Sequence, residues 1–255
     1  MSAEVDEVSA DAVLDGRLIL RQPRRGHRVG HDAILLAAAV SAHAGEHAVD
    51  FGAGVGAAGL ALARRVEGLA VTLIEIDPAL TALARDNAER NGLADRVRVV
   101  RLDVGAPAAE FAAAGLAPES AAHVLMNPPF NAPQNPSPDR SRRAAHVATP
   151  DTLPRWIGAA ALLLRRQGVI TLIWRADGLG EVLVSLEASF GDVVLLPVHP
   201  KPDAPAIRVL VRAVKGSRAP LALLPGLMLA QSDGTPSAQA EAVLRRGGAL
   251  PLAEF

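Results

Sequence analysis

Val124-Leu125-Met126-Asn127-Pro128-Pro129-Phe130-Asn131 runs from three apolar residues into an amide, two prolines and a ring. Asn127 and Pro128 each precede a proline, which pushes both out of the helical region. Proline fixes φ and has no N–H to donate. The stretch predicts a stiff, extended exit from a buried strand, presenting the Asn127 side-chain oxygen, the Pro128 carbonyl and then the Phe130 ring. An exocyclic amine on a nucleobase is a poor nucleophile because its lone pair is delocalised into the base. Two acceptors can bind its two N–H groups and stabilise the positive charge that develops as the nitrogen attacks a methyl sulfonium. That is an oxyanion hole with the sign reversed. Phe130 can stack on the base, worth about 1–3 kcal/mol, and the base must be unstacked or flipped out to enter. Asn127, Pro128 and Phe130 are the candidate catalytic residues. The plainer reading of the same four residues is a proline-rich turn.

A second cluster lies upstream in "VDFGAGVGAAGLAL", with Gly52, Gly54, Gly56 and Gly59. Two readings are open. From Gly54 it is a GxGxxG string with Glu75 about twenty residues on, the dinucleotide-binding fingerprint. From Asp50 it is an acid followed by x-G-x-G-x-G, which resembles the first motif of class I S-adenosylmethionine (AdoMet)-dependent methyltransferases. In both, glycine lets the backbone approach a ligand closely, and Glu75, ending a second strand, can accept from ribose hydroxyls. The charge logic differs. A pyrophosphate wants a bare helix N-terminus, whereas the acid Asp50 favours a cation. Asp103, ending a third strand in "RLDV", can accept from an adenine amino group; its plainer role is a helix cap.

These residues need a scaffold, and the chain between them supplies an alternating one. Short apolar runs at "HAVDFG", "LAVTLIEID", "RVRVVRLDV", "AAHVLMN" and "GVITLIW" read as five strands separated by helical segments. "PALTALARDNAERNG" carries Pro78 at its start and Gly92 past its end, as a helix should. Continuous apolar strands alternating with helices predict a parallel sheet covered on both faces. "DVVLLPVHP" and "AIRVLVRAV" follow one another directly and predict an antiparallel pair at one edge. The expectation is an α/β, Rossmann-like fold with a seven-stranded, mostly parallel sheet, an antiparallel edge strand and helices on both faces. "GRLILRQP" reads as a further short strand and "HDAILLAAAV" as a helix capped by His31 or Asp32. Residues 1–16 read as loosely attached, 128–150 as a long polar loop, and the chain from Leu221 as a Pro/Gly-rich tail to which no element is assigned. Three regions result: an N-terminal extension over 1–45, the main domain over 46–219 and a tail over 220–255.

The bulk numbers exclude several classes. With no cysteine there is no disulfide framework and no thiolate metal site; the seven scattered histidines make no metal-ligand spacing, so no metal is expected. A formal net charge of −1 excludes a globally basic nucleic-acid coat. The N-terminus has no signal-peptide core, and the longest apolar run near it is too short for a bilayer span. A cytoplasmic, soluble protein with no membrane partner is the expectation.

Taken together, "RVGHDAILLAAAV", the glycine turn, "EIDPALTALARDNAERNG", "MNPPFN" and "HPKPDAPAIRVLVRA" resemble the bacterial tRNA1(Val) adenine-N6-methyltransferase family, within the AdoMet-dependent amino-methyltransferases that carry an NPPF or NPPY motif. The resemblance covers roughly Leu14 to Ala219. It implies a class I methyltransferase fold, with AdoMet contacted by Asp50, Gly52, Gly54, Gly56, Glu75 and Asp103 and covered by the helix near Asp32. It also implies catalysis by Asn127 and base stacking by Phe130. His31 and Ala33 depart from the family's N-terminal pattern. Arginine clusters fit an RNA ligand, each phosphate contact adding salt dependence; Arg25, Arg28, Arg142, Arg143 and Arg208 are the candidates, with Arg208 and Arg212 expected on one face. The same motif serves guanine-N2 methylation of rRNA and glutamine-N5 methylation of a release factor. From other classes, a nicotinamide-dependent oxidoreductase would leave NPPF unexplained, and a non-catalytic binding module would leave Asn127 without a role.

Overall fold

The computed structural model describes residues 8–24, 28–129 and 151–255. Phe130, Arg25, Arg142 and Arg143 lie outside the described residues. Residues 1–7 lie outside the described residues; over 8–16 the expectation of a loose attachment is corrected, since β1 (Val8–Val13) and β2 (Leu18–Pro23) form an antiparallel hairpin. Its turn places Leu14, Asp15 and Gly16 at positive φ. Asn87 of the third helix along the chain (Pro78–Arg90) and Asn91, its C-cap, hold β2 as a neighbouring strand would. Arg21 N donates to Asn87 Oδ1 at 2.7 Å, and Ile19 N to Asn91 Oδ1 at 2.9 Å. The two amide groups return bonds to Arg21 O at 3.0 Å and Ile19 O at 2.8 Å.

Beyond α1 (His31–Ala39) the strand–helix alternation begins. It runs β3 (His47–Phe51), α2 (Ala57–Arg65), β4 (Ala70–Glu75), α3 (Pro78–Arg90), β5 (Val97–Arg101), α4 (Ala108–Ala113) and β6 (Ala121–Met126). It continues with α5 (Thr152–Leu163), β7 (Leu164–Arg175), α6 (Leu179–Leu186), β8 (Phe190–His199) and β9 (Arg208–Lys215). The seven long strands lie in the order β5-β4-β3-β6-β7-β9-β8. Only β9 among them is reversed; it pairs antiparallel with both β7 and β8, so the reversal falls one strand in from the edge. The α3 start is as its residues dictate: Pro78 occupies the first helical position and Asp77 Oδ1 accepts from Ala79 N and Leu80 N at 2.7 and 3.1 Å. The α1 start is not: its cap is Gly30, with no side-chain bond, and neither His31 nor Asp32 caps it.

Each sheet face has its own core. On one, Leu35 and Leu36 of α1, Leu60 and Leu62 of α2 and Ala84 and Ala88 of α3 pack with Leu20 of the hairpin. On the other, Phe111 of α4, Leu153 and Ile157 of α5 and Val182 of α6 pack on Val49, Phe51, Met126 and Leu172. The proline- and glycine-rich tail is integral to the fold. β10 (Ala222–Leu223) and β11 (Leu227–Met228) add to β8 in parallel. α7 (Ala238–Leu244) follows, and Leu227, Val243, Leu250 and Leu252 complete the first core. Among the described residues no helix is long and apolar enough to cross a membrane, and no group of three or more His, Asp or Glu is placed to hold a metal ion.

Candidate active site

Because the core strands are parallel, their carboxyl ends share one edge, where open α/β sheets bind ligands. Phe51, the last residue of β3, is paired with Ile74 on one side and Met126 on the other. The turn beginning at Gly52 is therefore flanked by Glu75 and by Asn127. The chain order reverses here, β4 lying on one side of β3 and β6 on the other. This is the topological switch point.

Asp50 sits on the face of β3 that looks toward α2. It is 2 % exposed, and its Oδ2 accepts from Gly59 N, in the first turn of α2, at 2.8 Å. Gly59 leaves room for this: a Cβ there would meet Leu73 Cδ2 at 2.2 Å. Burial pushes the Asp50 carboxyl up to about 7, the Gly59 bond pulls it back, and the Glu75 charge adds to the rise. The acid thus acts on the start of α2 and by its field, not as a bared ligand contact. Its bond to Gly59 N places an acid close to the start of α2, where a pyrophosphate would be disfavoured.

Glu75 binds the glycine turn directly. Its Oε2 accepts from Gly54 N at 2.8 Å and its Oε1 from Asp77 N at 2.9 Å. An ionised carboxylate has about four acceptor sites, so each oxygen keeps one for a ribose hydroxyl. Gly54, at φ +59°, has open space where a Cβ would lie, which suits close approach of a ligand. Gly56 caps α2 at φ +91°, and a Cβ there would press on Leu73 and Leu60. Asp103 is exposed just past β5; its Oδ1 accepts from Gly105 N at 2.8 Å, and α4 is capped by Pro107, so Asp103 is no helix cap.

Asn127 leaves β6 half-buried, with Pro128 buried behind it. Among the described residues its Oδ1 is buried and has no hydrogen-bond partner. Such an orphan costs about 1–3 kcal/mol and is where a functional polar ligand is expected. The residue set suits AdoMet: ribose acceptors on Glu75, an open approach at Gly54, two neighbouring acids whose charge favours a cation, and an unused acceptor beside them.

The expected arginines divide. Arg28 is paired with Asp11 of the hairpin at 2.9 Å. Arg208, which opens β9, is paired with Asp32 of α1 at 2.9 Å. Asp32, assigned to the cofactor, and Arg208, assigned to the substrate, therefore bond each other. Arg212 does not share an open face with Arg208, being 6 % exposed and bonded to Asp192 at 3.2 Å.

Three residues at this edge escape a sequence reading. Ile76, directly after Glu75, is 57 % exposed. Arg155 and Trp156, near the start of α5, reach the turns after β5 and β3. The available signal was the scarcity of aromatics, five Phe and two Trp in all.

This strand order, the reversed β9, the glycine turn and the strand-ending acids define the class I AdoMet-dependent methyltransferase fold. A predicted O-methyltransferase from Agrobacterium tumefaciens superposes with a TM-score of 0.74 at 29 % identity, over 86 % of this chain and 98 % of that one. An AdoMet-dependent O-methyltransferase from Thermotoga maritima, 19 % identical with a TM-score of 0.53 over 77 % of this chain and 69 % of that one, shares the fold. Residues 27–199 match the family described as methyltransferase small domain, and the chain belongs to that family. A tRNA1(Val) (adenine(37)-N6)-methyltransferase from Porphyromonas gingivalis is 32 % identical over 61 % of this chain and 61 % of its own. A release factor glutamine methyltransferase from Chlorobaculum tepidum is 31 % identical over 74 % of this chain and 66 % of its own. The chain spans about three fifths of the length of the tRNA-modifying relatives it matches first.

Proposed function

We propose that the chain is an AdoMet-dependent N-methyltransferase acting on the exocyclic amine of adenine in RNA, at N6 of an anticodon-loop adenine in tRNA. The observation that carries this reading is the buried, unpartnered Oδ1 of Asn127 beside the glycine turn. Bound AdoMet supplies the electrophilic methyl on its sulfonium. Glu75 accepts from the ribose, Asp103 from the adenine amine, and the Asp50–Glu75 pair sets a negative field opposite the cation. The Asn127 oxygen and the Pro128 carbonyl accept the two N–H groups of the target amine, orient its lone pair and stabilise the charge it gains. No strong base is needed, because the methylated ammonium loses its proton to water. A hydroxyl acceptor would need a base, and Asn127 offers an amide oxygen, which favours nitrogen over oxygen as the target. Arg175 and Arg208, opposite each other on β7 and β9, place guanidinium groups at the same edge. Arg175 is paired with Asp177 at 3.2 Å, an exposed ion pair weak enough to exchange for phosphate. The likeness to a glutamine methyltransferase supports a second reading, an amide nitrogen held by the same two acceptors; Phe130 in place of Tyr leans toward a nucleobase.

In a methyl-transfer assay on tRNA lacking the modification, Asn127→Ala lowers kcat about a hundredfold, as loss of one preorganised polar partner does. S-adenosylhomocysteine (AdoHcy) affinity stays within about twofold. Turnover unchanged from wild type would remove Asn127 from the amine-binding role.

A further inference from the structure

Arg155 and Trp156, neighbours near the start of α5, each press against a glycine of a different turn. A Cβ on Gly52 would lie 2.4 Å from Trp156 Cη2, and one on Gly105 would lie 2.2 Å from Arg155 Nη2. That guanidinium also donates to Gly105 O at 2.9 Å. Trp156 meets Phe51 edge-on, with centroids 6.4 Å apart and planes at 88°, and Phe51 in turn meets Phe111 at 6.3 Å. The Gly52 turn follows β3 and the Asp103–Gly105 turn follows β5, with Glu75 on the strand between. One helical turn therefore grips both ends of the row Gly52, Glu75, Asp103. Since Asp103 Oδ1 is bonded to Gly105 N, the arginine holding Gly105 also holds the carboxylate presented from that turn. A cavity of about 230 Å³ opens beside it, lined by Val104, Gly105, Phe111 and Arg155 among others.

We propose that Arg155 and Trp156 are positioning residues for the cofactor: together they set the separation of the two turns between which an elongated nucleoside must lie. The inference rests on the reading of this edge as the AdoMet site. Trp156 packs on the turn near the sulfonium end, and Arg155 holds the turn at the adenine end. Occupation of the site then changes the surroundings of the indole.

The test uses the full chain and AdoHcy. In a Trp174→Phe background Trp156 is the sole tryptophan, and its emission is titrated with AdoHcy while the affinity is measured separately by calorimetry. A saturable change with the calorimetric Kd is expected. Trp156→Ala weakens AdoHcy about tenfold and Trp156→Phe restores most of the loss; Arg155→Ala weakens it about fivefold. The variants raise KM for AdoMet more than they lower kcat. Emission that stays constant while calorimetry shows binding overturns the inference, as do correctly folded alanine variants that bind like wild type. Wild-type protein that does not bind AdoHcy overturns the cofactor reading and the inference with it.

Discussion

Asp50 and Glu75 lie near the carboxyl ends of neighbouring strands, and burial, with the Glu75 charge adding to it, lifts the Asp50 carboxyl to about 7. Between the ordinary value of 3.8 and about 7 the folded chain keeps a proton that the unfolded chain releases. Stability from this group therefore falls as pH rises through that window. Asp50→Asn keeps an acceptor for Gly59 and removes the charge. Thermal melts at about pH 5 and pH 8 should show wild type losing stability between them from this group and the variant losing less. The same ionisation acts on the ligand. The preference for cationic AdoMet over neutral AdoHcy should grow as pH passes through 7, and a flat ratio by calorimetry would remove Asp50 from the electrostatic role. At this scale the sequence was most informative where chemistry is local. Asn127 between a strand and two prolines, and glycines spaced after a strand, declare themselves. The direction of the Asp50 side chain does not, because it depends on Gly59 giving up a side chain across the strand–helix boundary.

The N-terminal hairpin depends on a helix. Asn87 is fully buried and bonds Arg21 twice, and its amide also reaches Val55 O at 3.0 Å in the glycine turn. Removing that amide orphans buried backbone groups on both β2 and the turn. Asn87→Ala should cost about 2–4 kcal/mol in denaturant melts and speed hydrogen exchange at Arg21 and Ile19 beyond that in the sheet. Exchange rising uniformly, with no excess in the hairpin, would show that Asn87 does not anchor it. The alternating strands and helices were legible because each is a continuous apolar run bounded by turn residues. The hairpin's attachment was not, since its partners are two asparagine side chains far along the chain. Trp156 escaped for the same reason: its significance lies in the glycine it covers, which belongs to a distant turn.

Across the whole molecule, the two cores explain why the site edge is well built although the acceptor groups are few. Helices close both faces of the sheet, and the C-terminal segment, with its proline- and glycine-broken pattern, adds Leu227, Val243, Leu250 and Leu252 to the α1 side. Those residues were illegible as core because nothing in their spacing announces a helix or strand face; only the fold brings them under α1. The Asp32–Arg208 pair likewise joins the helix before the sheet to its one reversed strand. What the assembled edge should do is transfer a methyl group to an adenine amine. The most direct test supplies methyl-labelled AdoMet and the purified chain to total tRNA and rRNA from a strain lacking this protein, then digests the RNA and identifies the labelled nucleoside. N6-methyladenosine in the tRNA fraction is the expected product. Transfer to neither RNA while AdoMet binds would contradict the proposed function, and N2-methylguanosine in rRNA would contradict the adenine assignment while leaving the Asn127 chemistry in place.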